Sequence, residues 1–335
     1  MLNDRRRRVL SALVEEYIVS ATPVGSKTLV TRYELGCSPA TVRNELSILE
    51  ETGFVVSPHV SAGRLPTDTG YRSFVDDLIE RGDHGRVEGQ RTPARFGAAA
   101  EVDDLMRETS VALTQLTNCL AVVLAPSVSL ARVRRIDLLS LTPRRAVFVL
   151  ITGSGQVVNR TIELSEDAEP ERLAQIERAL NAGLDGKHAA DIHPLRAGIE
   201  SAHGDWKLVG RVIDEILDAL EEADRDRLFH VGVPALLAQP EFHDSERARP
   251  LIEFLEDGIA VLEALSDAFG SSDLTVRIGH ENRRAELGNV SIVATNYGSG
   301  GVDGVVGVIG PTRMDYPRVM AAVRAVSDDL TDALA

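Results

Sequence analysis

The sequence predicts an α+β chain in two parts: an N-terminal winged helix-turn-helix, then a larger α/β block interrupted by a mainly helical stretch. Three observations carry this. Residues 38–67 hold a capped amphipathic helix, a glycine stop and two short strands around a small-residue tip. Apolar strand-like runs occur at 120–162 and again at 274–310, with helical periodicity between them. The charge is divided as well: residues 1–75 carry 9 Lys+Arg against 8 Asp+Glu, whereas the other 260 residues carry 27 against 43.

In order along the chain, Leu10, Leu13, Val14, Tyr17 and Ile18 repeat at helical spacing and define a first helix. Thr22-Pro23-Val24-Gly25 ends it. A short second helix runs from Ser26 to Tyr33, and Glu34-Leu35-Gly36-Cys37 forms a turn. Ser38 is a helix N-cap with Pro39 at the first helical position, where the missing N–H costs nothing. Val42, Leu46 and Leu49 form the inner stripe of this third helix, and Gly53 is its stop. Phe54-Val55-Val56 reads as a strand with Pro58 at its end or on an edge. Val60-Ser61-Ala62-Gly63 is the tip, and Arg64-Leu65 the return strand. Thr67 or Asp68 caps a fourth helix with stripe Tyr71, Phe74, Val75, Leu78 and Ile79. Residues 1–80 are thus one domain, and the Gly-, Arg- and Pro-containing stretch 81–97 a linker.

Beyond it, residues 98–185 contain a helix at 98–117, strands at 120–124, 133–141, 146–152 and 157–162, and a helix near 170–183. Residues 186–269 are mainly helical. Residues 270–335 return to strands at 274–278, 291–296 and 305–310, with a closing helix at 316–333. The pattern reads as one α/β domain (98–185 and 270–335) with another (186–269) inserted.

Composition excludes several classes. No apolar stretch reaches the roughly 18 residues of a membrane helix, and the run behind Arg5, Arg6, Arg7 and Arg8 is broken by Ser11, Glu15 and Glu16, unlike a signal peptide. The expected location is cytoplasmic, with no membrane partner. Cys37 and Cys119 lack metal or redox spacing and read as packing thiols. His188, His193 and His203 do not share a helix face, so no metal is expected. Glu221-Glu222-Ala223-Asp224 reads as a solvated helix end. Gly298-Ser299-Gly300-Gly301 and Gly153-Ser154-Gly155 lie between strands, as hairpin turns do and phosphate loops do not. No nucleophile–base pattern emerges, so neither an enzyme nor a cofactor is expected.

The net charge of −15 looks wrong for a nucleic-acid binder, but the acid lies outside the N-terminal domain, which leaves a local surface free to engage phosphate. At about 100° per residue, Ala40, Asn44 and Ser47 face away from the apolar stripe of the third helix, flanked by Thr41 and Arg43. Arg pairs with guanine, Asn with adenine, and small methyl-bearing residues meet thymine. Ser26 and Lys27 at the start of the second helix suit a phosphate, and His59, Ser61 and Arg64 sit on the wing. The candidate DNA-binding set is therefore Ser38, Ala40, Thr41, Arg43, Asn44, Ser47, Ser26, Lys27, His59, Ser61 and Arg64.

Several longer stretches carry a family resemblance. These are Pro23-Val24-Gly25-Ser26-Lys27-Thr28-Leu29, Ser38-Pro39-Ala40-Thr41-Val42-Arg43-Asn44-Glu45-Leu46, Pro58-His59-Val60-Ser61-Ala62-Gly63-Arg64-Leu65-Pro66-Thr67 and Gly70-Tyr71-Arg72. Gln239-Pro240-Glu241-Phe242 and Gly307-Val308-Ile309-Gly310-Pro311-Thr312-Arg313-Met314-Asp315-Tyr316 extend it over nearly the whole chain. Together they resemble the bacterial heat-inducible transcription repressor HrcA family. The departures are Cys37 and Val42, where Leu and Ile are more familiar, and Val231-Gly232-Val233-Pro234, a variant of a more glycine-rich motif. The resemblance implies a GAF-like domain carrying an inserted dimerisation domain, and a homodimer on an inverted-repeat operator in double-stranded DNA upstream of chaperone operons. It also implies loss of repression on heat stress, with a chaperonin of the groEL class as activity modulator. The alternative is a one-component regulator controlled by a small-molecule effector in the GAF-like domain.

Overall fold

The computed structural model describes residues 2–59, 62–82, 102–128, 131–153, 155–164, 167–184, 186–203, 206–225, 227–265, 274–299 and 302–334. Its N-terminal head comprises α1 (Asp4–Ser20), α2 (Ser26–Arg32), α3 (Pro39–Glu51), a hairpin of β1 (Val55–Val56) and β2 (Leu65–Pro66), and α4 (Asp68–Arg81). The capping chemistry is local. Asn3, Ser38 and Thr67 each accept a backbone N–H three residues on. Gly53, at φ +81°, turns the chain from α3 into β1 in a conformation that a side chain resists. Leu10, Leu13, Val14, Leu29, Val42, Leu49, Phe74 and Val75 close the core among these helices. Gly70 lets α4 sit against the hairpin, since a Cβ there would stand 2.2 Å from the Phe54 carbonyl oxygen. The 81–97 linker lies, past Gly82, outside the described residues.

The body contains α5 (Val102–Thr117), β3 (Leu120–Leu124), β7 (Leu228–Val231), α9 (Val233–Leu237), α10 (Ser245–Glu256), α11 (Gly258–Leu265), β8 (Thr275–Ile278), β9 (Val290–Ser299), β10 (Val302–Pro311) and α12 (Tyr316–Leu334). Its five strands run in the order β7-β3-β10-β9-β8, each antiparallel to its neighbours. Strand alternation sorts the side chains. Ala121, Val123, Val293, Val306 and Val308 join the core shared with α5 and α12. Leu120, Val122, Leu124, Ile292, Val305 and Ile309 face the other way, onto α9, α10 and α11. Both faces of this sheet are covered, which explains its nearly continuous apolar strands.

The third part is a sheet of β4 (Val133–Thr142), β5 (Arg145–Thr152) and β6 (Val157–Glu163), with α6 (Pro170–Leu184), α7 (Ile192–His203) and α8 (Trp206–Arg225) on one face. Here the structure corrects the sequence-derived limits. The interruption lies between Leu124 and Leu228, not at 186–269, and it holds a three-stranded sheet beside its three longer helices. The helices at 233–265 belong to the five-stranded body. The reason is physical: period-2 alternation marks a strand but does not say which strands it pairs with, and this pairing is non-local. Antiparallel β5–β6 and β9–β10 pairing flanks the expected turns near 153–155 and 298–301, of which residues 154, 300 and 301 lie outside the described residues. Among the described residues no helix is long and apolar enough to cross a membrane, and no His, Cys, Asp or Glu group is placed to hold a metal.

Candidate nucleic-acid interface

The face of α3 turned from the core displays Ala40, Arg43 and Asn44 exposed, with Thr41 and Ser47 half-buried beside them. Ser38 is engaged in the cap: its hydroxyl accepts from the Thr41 N–H at 3.2 Å and lies 3.0 Å from the Thr41 hydroxyl. Ser47 donates back to the Arg43 carbonyl at 3.1 Å, leaving its oxygen free to accept. The side chains of Arg43 and Asn44 make no hydrogen bond or ion pair among the described residues.

That freedom stands out against the other cations of the head. Arg6 donates to Glu45 at 2.9 Å, and Arg5 lies 3.8 Å from the same carboxylate. Arg7 pairs with Asp77 at 3.3 Å, Arg32 with Glu16 at 2.7 Å, and Arg8 donates to the Glu34 carbonyl at 2.8 Å. Burial pushes the Asp77 carboxyl up, against the pull of Arg7 and Arg81. Lys27 is exposed and uncommitted, whereas the neighbouring Ser26 side chain is buried.

On the hairpin, His59 is exposed and its carbonyl accepts from Ser57 Oγ at 2.6 Å and the Ala62 N–H at 2.9 Å. Ser61 lies outside the described residues. Arg64 is internally bound: it pairs with Glu50 of α3 at 2.8 Å and donates to Ser57 Oγ at 3.1 Å and the Ala62 carbonyl at 3.3 Å. It ties the hairpin to the end of α3. The expected set therefore sorts into an uncommitted group (Ala40, Arg43, Asn44, Lys27, His59), a half-engaged group (Ser38, Thr41, Ser47) and two structural members (Ser26, Arg64).

Sequence reading missed the partners that fix this surface. Glu45 is buried on α3 between Val42 and Leu49, and Glu16 is buried on α1. A buried carboxylate on an apolar stripe requires a cation or hydrogen-bond donor reaching in to it, so Glu45 was a legible signal for a partner such as Arg6.

A small head displaying such a face, mounted on a separate sheet body, is the organisation of a transcription regulator. Comparison with known proteins gives the family. The family model described as HrcA protein C terminal domain matches residues 103–320. Heat-inducible transcription repressors HrcA from a Nocardioides species and from Streptomyces avermitilis are each 41% identical, over 98% of this chain and 97% of their own. That of Beutenbergia cavernae is 39% identical over 100% of this chain and 99% of its own. A crystal structure described as that of a hypothetical protein superposes with a TM-score of 0.67 at 25% identity, covering 100% of this chain and 99% of that one. The chain belongs to the HrcA family of heat-inducible transcription repressors.

Proposed function

We propose that the chain is a sequence-specific repressor that binds an inverted-repeat operator in double-stranded DNA as a homodimer. In this reading residues 2–82 form a winged helix-turn-helix, and α3 enters the major groove by its N-terminal half. Arg43 and Asn44 contact base edges, while Ala40 and Thr41 meet methyl groups and allow close approach. Ser38 and Ser47 contribute hydroxyls at the rim. Lys27 and the α2 start at Ser26 neutralise phosphate, and His59 and Ser61 bring the hairpin to the backbone. Arg64 sets the hairpin's angle rather than touching DNA. The observation that carries this is the uncommitted pair Arg43 and Asn44 on a helix whose neighbouring arginines have internal partners.

The five-stranded body is read as the GAF-like domain, and the module between Leu124 and Leu228 as the dimerisation domain. The module's second sheet face supports this, because among the described residues it is uncovered and exposes large apolar side chains beside the Arg135–Asp137 pair: Leu139, Leu141 and Val157 are 56%, 55% and 55% exposed. A second copy of the chain covers it, and two-fold symmetry of the dimer then matches an inverted repeat. Its targets are heat-shock chaperone operons, and heat stress ends repression through a chaperonin of the groEL class. The body's packed sheet faces favour this over the effector-controlled alternative. Selection of duplexes from a random DNA pool tests the reading: recovery of a palindrome by wild type, lost by Arg43→Ala and Asn44→Ala, is expected. Equal binding by all three proteins would overturn it.

A further inference from the structure

Three sequence stretches that resemble the family have no part in the reading surface: Gly70-Tyr71-Arg72, Gln239-Pro240-Glu241-Phe242, and the segment from Gly310 to Tyr316. The fold brings all three to one seam, where the head meets the five-stranded body.

At one end of the seam, Arg72 of α4 donates from Nε to Glu281 Oε1 at 2.7 Å and from Nη2 to the Val276 carbonyl of β8 at 2.6 Å. Nη2 also meets the second oxygen of Glu281, which the Ile278 N–H holds at 2.9 Å. One helical turn earlier, Asp68 Oδ2 accepts from the His280 N–H at 2.9 Å, with His280 Nδ1 at 2.7 Å. The fit is close. Gly279, at φ +52°, would place a Cβ 2.2 Å from Asp68 Oδ2. At the other end, Arg313 donates to Glu241 Oε1 at 2.6 Å and to the Ile18 carbonyl of α1 at 2.7 Å. Between the two arginines the rings of Tyr71 and Tyr316 lie 5.9 Å apart, and the buried Tyr71 hydroxyl has no hydrogen-bond partner.

Each arginine thus grips a carboxylate and a backbone carbonyl together, which fixes direction as well as distance. Arg72 holds α4 and Arg313 holds α1, so the head is gripped on two of its helices and is not free to rotate. α4 follows the hairpin directly, and its angle sets the angle of α3.

We infer that Arg72 and Arg313 are positioning residues that lock the reading head to the body and so set the half-site spacing an operator must have. The inference rests on the operator reading above. In a dimer with rigid heads, only one spacing lets both recognition helices engage, because half-sites repeat with the duplex turn of roughly 34 Å. Loosening the head leaves each half-site contact intact. It lowers the effective concentration of the second head and spreads it over several spacings.

The test uses the full chain and the duplex that wild type selects from a random pool, remade with centres altered by single base pairs and as an isolated half-site. Wild type is expected to prefer one spacing sharply. Arg72→Gln and Arg313→Gln should each bind the best full site at least ~10-fold more weakly and give a flattened spacing profile, with half-site affinity within about 2-fold of wild type. Glu281→Gln should reproduce Arg72→Gln, and combining the two should add little. Half-site binding reports that each variant is folded. A sharp wild-type spacing profile in Arg72→Gln and Arg313→Gln would overturn the lock while sparing the operator reading. Failure of wild type to select an inverted repeat would overturn both.

Discussion

The head and the three-stranded module each have one committed face and one uncommitted face, and the two uncommitted faces differ in kind. On α3 the free face carries Arg43 and Asn44 among small residues, while Val42, Leu46 and Leu49 are buried behind it. On β4, β5 and β6 the free face carries Leu139, Leu141 and Val157, while Ile136, Leu138, Phe148 and Leu150 pack against α6, α7 and α8. A polar face with an unpaired cation suits a polyanion that supplies hydrogen-bonding edges. A sheet face with exposed leucine and valine side chains suits a second surface of the same kind, and an identical copy supplies one by symmetry. What each region does with its core side is alike; what it leaves uncovered separates their roles.

The sharpest way to break this comparison is to alter both faces of the three-stranded sheet. Phe148→Ala empties the packed side and is expected to cost about 3–5 kcal/mol of stability in a urea or thermal melt. Leu139→Asp on the open side should leave the melt of the folded chain little changed and shift sedimentation equilibrium from dimer to monomer. If Leu139→Asp left the dimer intact, the open face would not be the interface between copies.

Next in size is the head, where two arginines 21 residues apart, Arg43 and Arg64, should fail in different ways. Arg43→Ala, like Asn44→Ala, is expected to lower affinity for the preferred duplex by roughly 1–3 kcal/mol, with stability unchanged. Arg64→Ala leaves Glu50 without its partner and the hairpin untied from α3, so it should lose roughly 1–2 kcal/mol of stability. Titration of the selected duplex and a melt for each protein separate the two outcomes. A reversed pattern would exchange their roles. Lys27→Ala should act more weakly: affinity falls by a similar factor on every sequence, and the salt slope flattens by about 1.

The contrast between Arg43 and Arg64 also marks what was legible in the sequence. Ser38 and Thr67 capped the helices expected of them, and Val42, Leu46 and Leu49 lay on the inner side, because caps and helical stripes depend on neighbours within a turn or two. The outward direction of Arg43 and Asn44 was legible for the same reason. Whether an arginine is free is not a local property. Arg64 meets Glu50 across a hairpin, and Arg72 meets Glu281 209 residues further along the chain, and no periodicity encodes either pair. The same limit displaced the insert: β4 has the alternation of a strand whether it joins β3 or β5, and only the three-dimensional pairing decides.

The two cysteines give the smallest effect and test the head and body separately. Cys119 is buried in the body core, where loss of solvent pushes its thiol up to about 12, the nearby Thr117 hydrogen bond offsetting this only in part. The reactive species is the thiolate, so Cys119 should resist iodoacetamide at pH 8 in the folded chain. Cys37 lies half-buried in the turn that precedes the Ser38 cap and should react. Mass spectrometry of tryptic peptides is expected to show one modified site in native protein and two in urea. Because Cys37 borders α3 while Cys119 sits under the five-stranded sheet, a duplex bound to the head should slow labelling of Cys37 alone. Protection of Cys119 as well would mean that DNA binding tightens the body through the seam. No change at either site would place the duplex away from the start of α3.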